Sequence, residues 1–550
     1  MNFRENETPT KLRGGYYTDP EIASFLTRWV LEIQPQNILE PSCGDGVFIE
    51  SIALSRHRFL SSFKGFEIEP LEAEKARKRG SALNGRVEIH TGDFLKWSLS
   101  QLLQPPSFDA VLGNPPFIRY QYLDTELQTR AKKIFEFFHL PFTMHTNAWV
   151  TFVILSIAHL RSGGRLAMVV PSEILHIPHA QALRTFLATQ CSRVLIFDPQ
   201  ELWFKNVLQG AVLLLAQKKL SSNSKFLGVG IVPTRTRTFL QENASIYFEK
   251  AQFANGKNLT GKWMRALLTS RERNLLDDIS QRQNVFRFHQ VGSADVGIVT
   301  GANNFFLVPD SIVSKYGLNK WAHPMFGRSE HCPGVIYDQR QHQENARLAY
   351  PTNFLWLKDA EVALSKDALE YIRLGETQKL HTRYKCRIRK TWYTVPSVYA
   401  TKIGMLKRAH DTPRLIYNRL KAYTTDTAYR INTKGCAPEK LIYCFLNALT
   451  ALSAELEGRH YGGGVLELVP TEIEKLIVPL PSSIRPEIRK LDTLVRQLSM
   501  ENVLEQQNKK VLGTLGLSKS DQDQLLGAWL RLKNRRQRLS DGEETSQSQS

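Results

Sequence analysis

The strongest constraint on the fold of this chain is an alternation. Through roughly the first 220 residues, short apolar runs that end in turns alternate with longer stretches of helical spacing. The run at 37–40 enters a small-residue turn at 41–46, and the run at 63–68 ends in Glu69-Pro70. A charged, helix-favouring stretch at 71–79 follows. The run at 87–90 closes in Thr91-Gly92-Asp93, and the run at 108–112 closes in Gly113-Asn114-Pro115-Pro116. Residues 148–160 are long and apolar enough for a buried helix, and 165–170, 194–197 and 211–216 read as further strands. Strands separated by helices predict an α/β domain with a mainly parallel sheet covered on both faces. The polar stretch 221–225 marks a boundary, so the expected first domain is 1–225.

An open parallel sheet binds ligands beyond the carboxyl ends of its strands. Here four successive strand ends carry suitable groups. The first is Glu40-Pro41-Ser42-Cys43-Gly44-Asp45-Gly46, whose glycines Gly44 and Gly46 let backbone approach a ligand. Its spacing is neither the three-glycine dinucleotide fingerprint nor a P-loop with its lysine, which disfavours a pyrophosphate ligand. The second is Glu67-Ile68, an acid placed to accept from two ribose hydroxyls. The third is Asp93-Phe94, an acceptor for an exocyclic amine beside a ring that can stack on a purine. The fourth is Asn114-Pro115-Pro116-Phe117. Adjacent prolines supply no amide donors and fix a rigid loop that presents carbonyls. With the Asn114 side-chain oxygen, that loop offers two acceptors for one amino group, and Phe117 offers a flat ring.

Composition narrows the setting. A hydrophobic content of 42% excludes a mostly disordered chain. No stretch approaches the ~18 apolar residues of a membrane span, and the N-terminus has no secretory core. Six cysteines, none paired at a two-residue gap, fit a reducing cytoplasm and neither a disulfide framework nor a zinc knuckle. Lys plus Arg number 72 against 53 Asp plus Glu, a net +19. Of this, residues 381–440 alone carry 14 basic and 3 acidic side chains, net +11. Charge so concentrated points to a polyanion. Within it, Tyr384-Lys385-Cys386-Arg387-Ile388-Arg389-Lys390 followed by Trp392-Tyr393 interleaves basic and aromatic groups suited to phosphates and bases. Residues 484–512 and 519–538 read as charged helices, and 541–550 as a disordered tail.

Together these motifs resemble the S-adenosylmethionine-dependent amino-DNA methyltransferases of the gamma arrangement, the adenine-N6 type of restriction–modification systems. In that arrangement cofactor motifs come first, then the catalytic motif, then a target-recognition domain. The resemblance implies a Rossmann-like methyltransferase sheet and a mixed α+β recognition domain, expected over 250–540. It implies that Gly15-Tyr16-Tyr17-Thr18-Asp19-Pro20 is the N-terminal cofactor motif, with Thr18 at the methionine end. Glu40, Pro41, Cys43, Gly44 and Gly46 then form the loop under the cofactor, and Glu67 with Ile68 meets the ribose. Asp93 and Phe94 meet the adenine. Asn114, Pro115, Pro116 and Phe117 become the catalytic tetrapeptide, with Phe117 where many members have Tyr. Phe204 stands where the family places a second aromatic against the target base, next to Trp203. Arg387, Arg389, Lys390, Trp392 and Tyr393 become DNA contacts. The segments 296–305, 461–464 and 477–481 also resemble parts of recognition domains.

The implied activity is site-specific methylation of adenine N6 on a flipped base, with double-stranded DNA as partner, no metal and no membrane. Only 14 residues precede Gly15, so a restriction endonuclease, where one exists, is expected as a separate protein. The residues alone leave open cytosine N4, an RNA or protein-glutamine amine, and a DNA-specificity protein with an inert pocket.

Overall fold

A computed structural model describes residues 17–83, 85–199, 210–259, 261–358, 365–461 and 463–537. They fall into two compact units, one through Ser270 and the other Arg271–Gln537.

The first unit is built on one eight-stranded sheet. Its strands are β1 (Asn37–Glu40), β2 (Ser62–Glu67), β3 (Arg86–Thr91), β4 (Phe108–Gly113), β5 (Leu160–Pro171), β6 (Cys191–Pro199), β7 (Ala211–Lys218) and β8 (Gly228–Thr234). The order is β3-β2-β1-β4-β5-β7-β6-β8. All pairings are parallel except those of β7, which runs antiparallel to β5 and to β6. The expected mainly parallel α/β sheet is therefore present. Both faces are covered, which explains why β4, β5 and β7 read as continuous apolar runs: Ala110–Leu112, Leu166–Val170 and Val212–Ala216 are fully buried. The covering helices include α1 (Pro20–Leu31), α2 (Val47–Leu54), α3 (Pro70–Gly80), α4 (Phe94–Gln101), α5 (Thr125–Phe137) and α6 (Ala148–His159). Because β1 sits between β2 and β4, the chain winds outward in both directions from it. That reversal opens a crevice beyond the carboxyl ends of β1 and β4.

One strand departs from the sequence reading. β8 lies past the polar stretch 221–225 and pairs with β6 in unbroken register from Arg193 with Gly228 to Pro199 with Thr234. Its Gly and Pro content disguises it. At the sheet edge Pro233 is tolerated. Gly228 has φ +131, and a Cβ there would lie 2.2 Å from the Ala254 carbonyl oxygen.

The second unit is mixed α+β, as expected. A five-stranded sheet, β9 (Gly292–Val296), β10 (Ile336–Tyr337), β11 (Ile403–Leu406), β12 (Leu415–Asn418) and β13 (Ala428–Thr433), has the order β9-β13-β11-β12-β10. Helices α7 (Pro438–Phe445), α8 (Ala448–Glu457), α9 (Ile488–Gln497), α10 (Met500–Thr514) and α11 (Lys519–Gln537) follow. The single charged helix expected over 484–512 is two helices. Leu498 is extended, and Ser499 caps the second by accepting from the Asn502 amide at 3.4 Å. Among the described residues no helix is long and apolar enough to cross a membrane.

Two buried histidines give the fold a pH dependence. His159, 7% exposed, bonds Ser98 Oγ through Nε2 at 3.0 Å, and burial with Lys218 nearby pushes its pKa down to about 4. Burial likewise pushes His331 to about 4. Both are neutral in the fold, whereas the unfolded chain protonates them near their ordinary 6.5. Their stabilisation is complete above that value and lost as pH falls toward 4. Each contributes about 1.4 kcal/mol per unit of displacement. The urea midpoint is expected to fall between pH 7 and pH 5, and to fall less in a His159→Gln chain. Equal falls in the two chains would contradict the assignment.

Candidate functional site

The crevice holds a cavity of about 830 Å³. Each of the four strand ends contributes to it, through Glu40 to Asp45, Glu67, Asp93 and Asn114. Thr18 joins them from the segment entering α1.

The turn after β1 is shaped by backbone needs. The Cys43 amide donates to the Phe66 carbonyl at 2.8 Å, and the Gly46 amide returns to the Cys43 carbonyl at 2.9 Å. Gly46 has φ +90, and a Cβ there would meet the Ala76 Cα at 3.0 Å, so only glycine fits between the turn and α3. The Cys43 thiol is 3% exposed, and burial raises its pKa well above the usual range, leaving it a packing group.

Glu67 braces this turn. Its Oε2 accepts from the Gly44 amide at 2.8 Å and its Oε1 from the Glu69 amide at 2.9 Å. Glu40 is different: it is fully buried, and among the described residues neither carboxylate oxygen has a hydrogen-bond partner. Burial, with Glu67 and Asp45 nearby, pushes its pKa well above the carboxylate range. A buried carboxyl left without donors is costly unless a ligand supplies one.

Asp93 caps α4, accepting from the Leu95 amide at 2.8 Å through Oδ1. Phe94 lines the cavity but is only 2% exposed, tilted against Phe66 at 5.5 Å and Phe152 at 5.4 Å. Ile68, at 63%, and Leu71, at 74%, are exposed apolar groups of the cavity lining.

In the fourth strand end, Asn114 Nδ2 donates to Thr18 Oγ1 at 3.1 Å, and Ser42 Oγ donates to the Asn114 carbonyl at 3.1 Å. The first and fourth strand ends are thus joined, and the orientation of the Asn114 amide is set. Asn114 and Pro116 line the cavity. Pro115 is buried, and Phe117 is half-buried against the core cluster of the first unit, outside the cavity wall. Gly15, Tyr16 and Phe204 lie outside the described residues.

One wall of the cavity had no sequence signal. The segment after the Asn114 loop turns back and supplies Ile118, Tyr120, Leu123, Asp124 and Leu127. From α5, Arg130 reaches Asp93 Oδ2 at 2.6 Å. The two residues are 37 apart with no shared motif, so only the folded chain pairs them.

In the second unit the basic–aromatic segment divides by burial. Arg387 and Lys390 are exposed. Arg389 donates to the carbonyls of Val299 at 2.8 Å and Trp392 at 3.2 Å, which ties the segment to β9's outgoing chain. Trp392 is half-buried on Phe305, ring centroids 5.0 Å apart, with its indole N–H on Glu376 at 3.3 Å. Tyr393 packs against the same cluster. Lys385, Arg389 and Lys390 gather around a second cavity of about 530 Å³, beside the exposed Ile388.

Comparison with known proteins follows this division. Residues 3–238 match the family N-6 DNA Methylase, and residues 260–512 match the C-terminal domain of the type II methyltransferase M.Eco57I. The type II methyltransferase M.AccI of Acinetobacter calcoaceticus is 22% identical over 481 residues, 84% of either chain. M.CvrRI of Paramecium bursaria Chlorella virus XZ-6E is 29% identical over 168 residues, which is 30% of this chain and 37% of that protein. Among solved structures, the type IIL restriction-modification enzyme MmeI in complex with DNA shares the fold. It aligns with a TM-score of 0.54 at 12% identity, over 93% of this chain and 75% of that one.

Proposed function

We propose that this chain is an N-6 DNA methylase of a restriction–modification system, and that it methylates N6 of an adenine flipped out of double-stranded DNA, with Asn114, Pro115, Pro116 and Phe117 as its catalytic loop. The observation that carries this reading is the convergence of Glu67, Asp93 and Asn114 on one cavity at the crevice of the sheet.

The cavity suits S-adenosylmethionine on its own chemistry. The orphaned carboxyl of Glu40 suits an ammonium group. Glu67 retains acceptor capacity for ribose hydroxyls after its two backbone bonds. Asp93 takes the exocyclic amine, and Ile68 and Phe94 give the adenine apolar surroundings. Thr18, Pro41, Cys43 and Gly44 are assigned to the methionine end, with Gly46 shaping the turn behind them. When bound, the cofactor supplies an electrophilic methyl group on a sulfonium.

The rest is positioning by the chain. The adenine amine is a poor nucleophile because its lone pair is delocalised into the ring. Asn114 Oδ1 and the Pro115 carbonyl accept its two hydrogens and favour a pyramidal nitrogen. Holding the two reactants in line supplies on the order of 7–11 kcal/mol. Extruding the base costs a few kcal/mol. Phe117 and Phe204 are assigned to the flipped ring.

DNA is held by the second unit through the exposed Arg387 and Lys390, with Arg389, Trp392 and Tyr393 shaping their support. Affinity is expected to fall steeply with salt, and Arg387→Ala and Lys390→Ala each to flatten the log–log slope by roughly 1. A flat salt response in the parent chain would contradict this. We assign the protein to the cytoplasm; a restriction endonuclease, where the system has one, is expected as a separate protein. Incubating the chain with duplex DNA and S-adenosylmethionine, then analysing nucleosides by mass spectrometry, tests the reading. N6-methyladenine is expected, and N4-methylcytosine alone would overturn the choice of base.

A further inference from the structure

The Asp93 carboxylate is held from two elements. Oδ1 is committed to the Leu95 amide at the start of α4, at 2.8 Å. Oδ2 is held by the guanidinium of Arg130, at 2.6 Å. Arg130 lies on α5, which follows the catalytic loop through the wall segment of Ile118, Tyr120 and Leu123. Its other arm is held by Glu126, one turn back on α5. The pair is mostly shielded, with 13% of the Asp93 side chain and 23% of the Arg130 side chain exposed.

A carboxylate offers about four acceptor directions. A backbone amide on one oxygen and a guanidinium on the other fix its plane and leave one defined lone pair on each. We infer that Arg130 is a positioning residue. It locks Asp93 so that the cofactor site accepts a ring amine and rejects a ring carbonyl. The inference rests on the reading of Asp93 as the acid at the cofactor adenine.

The chemistry gives a sharp contrast. Adenine presents an exocyclic amine, which donates. Hypoxanthine presents a carbonyl at that place, which meets the locked carboxylate acceptor to acceptor. A carboxylate free to turn could accept instead from the protonated N1 of hypoxanthine. Discrimination therefore depends on the lock, whereas affinity for the adenine compound depends on it much less.

The test is equilibrium binding of S-adenosylhomocysteine and S-inosylhomocysteine to the full chain by calorimetry. The parent chain is expected to favour the adenosyl compound by roughly 10–100-fold, the scale of one hydrogen bond to a charged group. In Arg130→Ala the ratio is expected to fall to about 3-fold or less, with adenosyl affinity reduced under about 10-fold. Arg130→Met keeps the aliphatic stem, is expected to behave alike, and serves if the alanine variant does not fold. Arg130→Lys, a cation without the planar fork, restores part of the ratio. A parent-like ratio in Arg130→Ala or Arg130→Met would overturn the inference. Asp93→Asn separates the two claims. A parent-like ratio there removes the Asp93 reading and the inference with it. A collapsed ratio there, beside a parent-like one in Arg130→Ala, removes the role of Arg130 alone.

Discussion

Asn114→Ala is expected to lower methyl transfer at least ~100-fold while leaving DNA affinity within a few-fold. The scale follows from mutations of single preorganised polar groups, which typically cost ~10²–10³ in rate. Alanine removes the side-chain acceptor for the target amine. It also releases Thr18, which Asn114 Nδ2 holds at 3.1 Å, so both the base side and the cofactor side of the cavity lose a fixed group. The basic segment of the second unit is untouched. Asp or Ser at 114 retains an acceptor, and Ser is too short to reach Thr18 and the amine together, so its activity is expected between the two. Single-turnover kinetics with saturating cofactor isolates the chemical step. Parent-like turnover in Asn114→Ala would sink the assigned mechanism.

The largest stability effect is expected at Arg536. Its guanidinium enters the interior of the second unit from α11. There Nη2 meets Glu455 Oε1 at 2.8 Å, and Nε meets Oε2 at 3.0 Å. Both side chains are fully buried. Nη2 also donates to the Asp411 carbonyl at 3.0 Å, and Nη1 to the Gly464 carbonyl. Burial alone would raise the Glu455 carboxyl, but Arg536 and the adjacent His460 hold it low. Arg536→Met therefore leaves a buried carboxylate without its cation and is expected to destabilise the unit by about 3–5 kcal/mol. The double change Arg536→Met with Glu455→Leu removes both charges and is expected to recover most of that loss, because the desolvation cost of the pair disappears as well. Urea denaturation of the three chains reads this directly. A single-mutant effect below about 1 kcal/mol would contradict the pairing.

The meeting of the strand-end residues at one cavity was legible because its signals are local. A glycine required at φ +90, an acid closing a strand and a double proline each show in a few consecutive residues. Their meeting at one crevice follows from the order of parallel strands. β1 matches its sequence limits, and β2, β3 and β4 differ by a residue or two at an end. What was not legible is long-range. β8 hides behind Gly and Pro because edge strands tolerate them. Arg130 carries no motif, since its partner is met only through the fold of α5 over the cavity. In the basic segment, sequence spacing does not distinguish an arginine that faces solvent from one that staples loops. Arg387 is the first kind and Arg389 the second.

On the proposed function, one chain both recognises a DNA site and methylates adenine there through the Asn114 loop. Long-read sequencing of DNA from a methylation-deficient host expressing the chain, beside the same host expressing Asn114→Ala, tests it most directly. N6-methyladenine confined to a discrete sequence motif is expected in the first host and none in the second. Unmodified DNA from a host whose purified protein is folded and binds S-adenosylhomocysteine would contradict the proposed function.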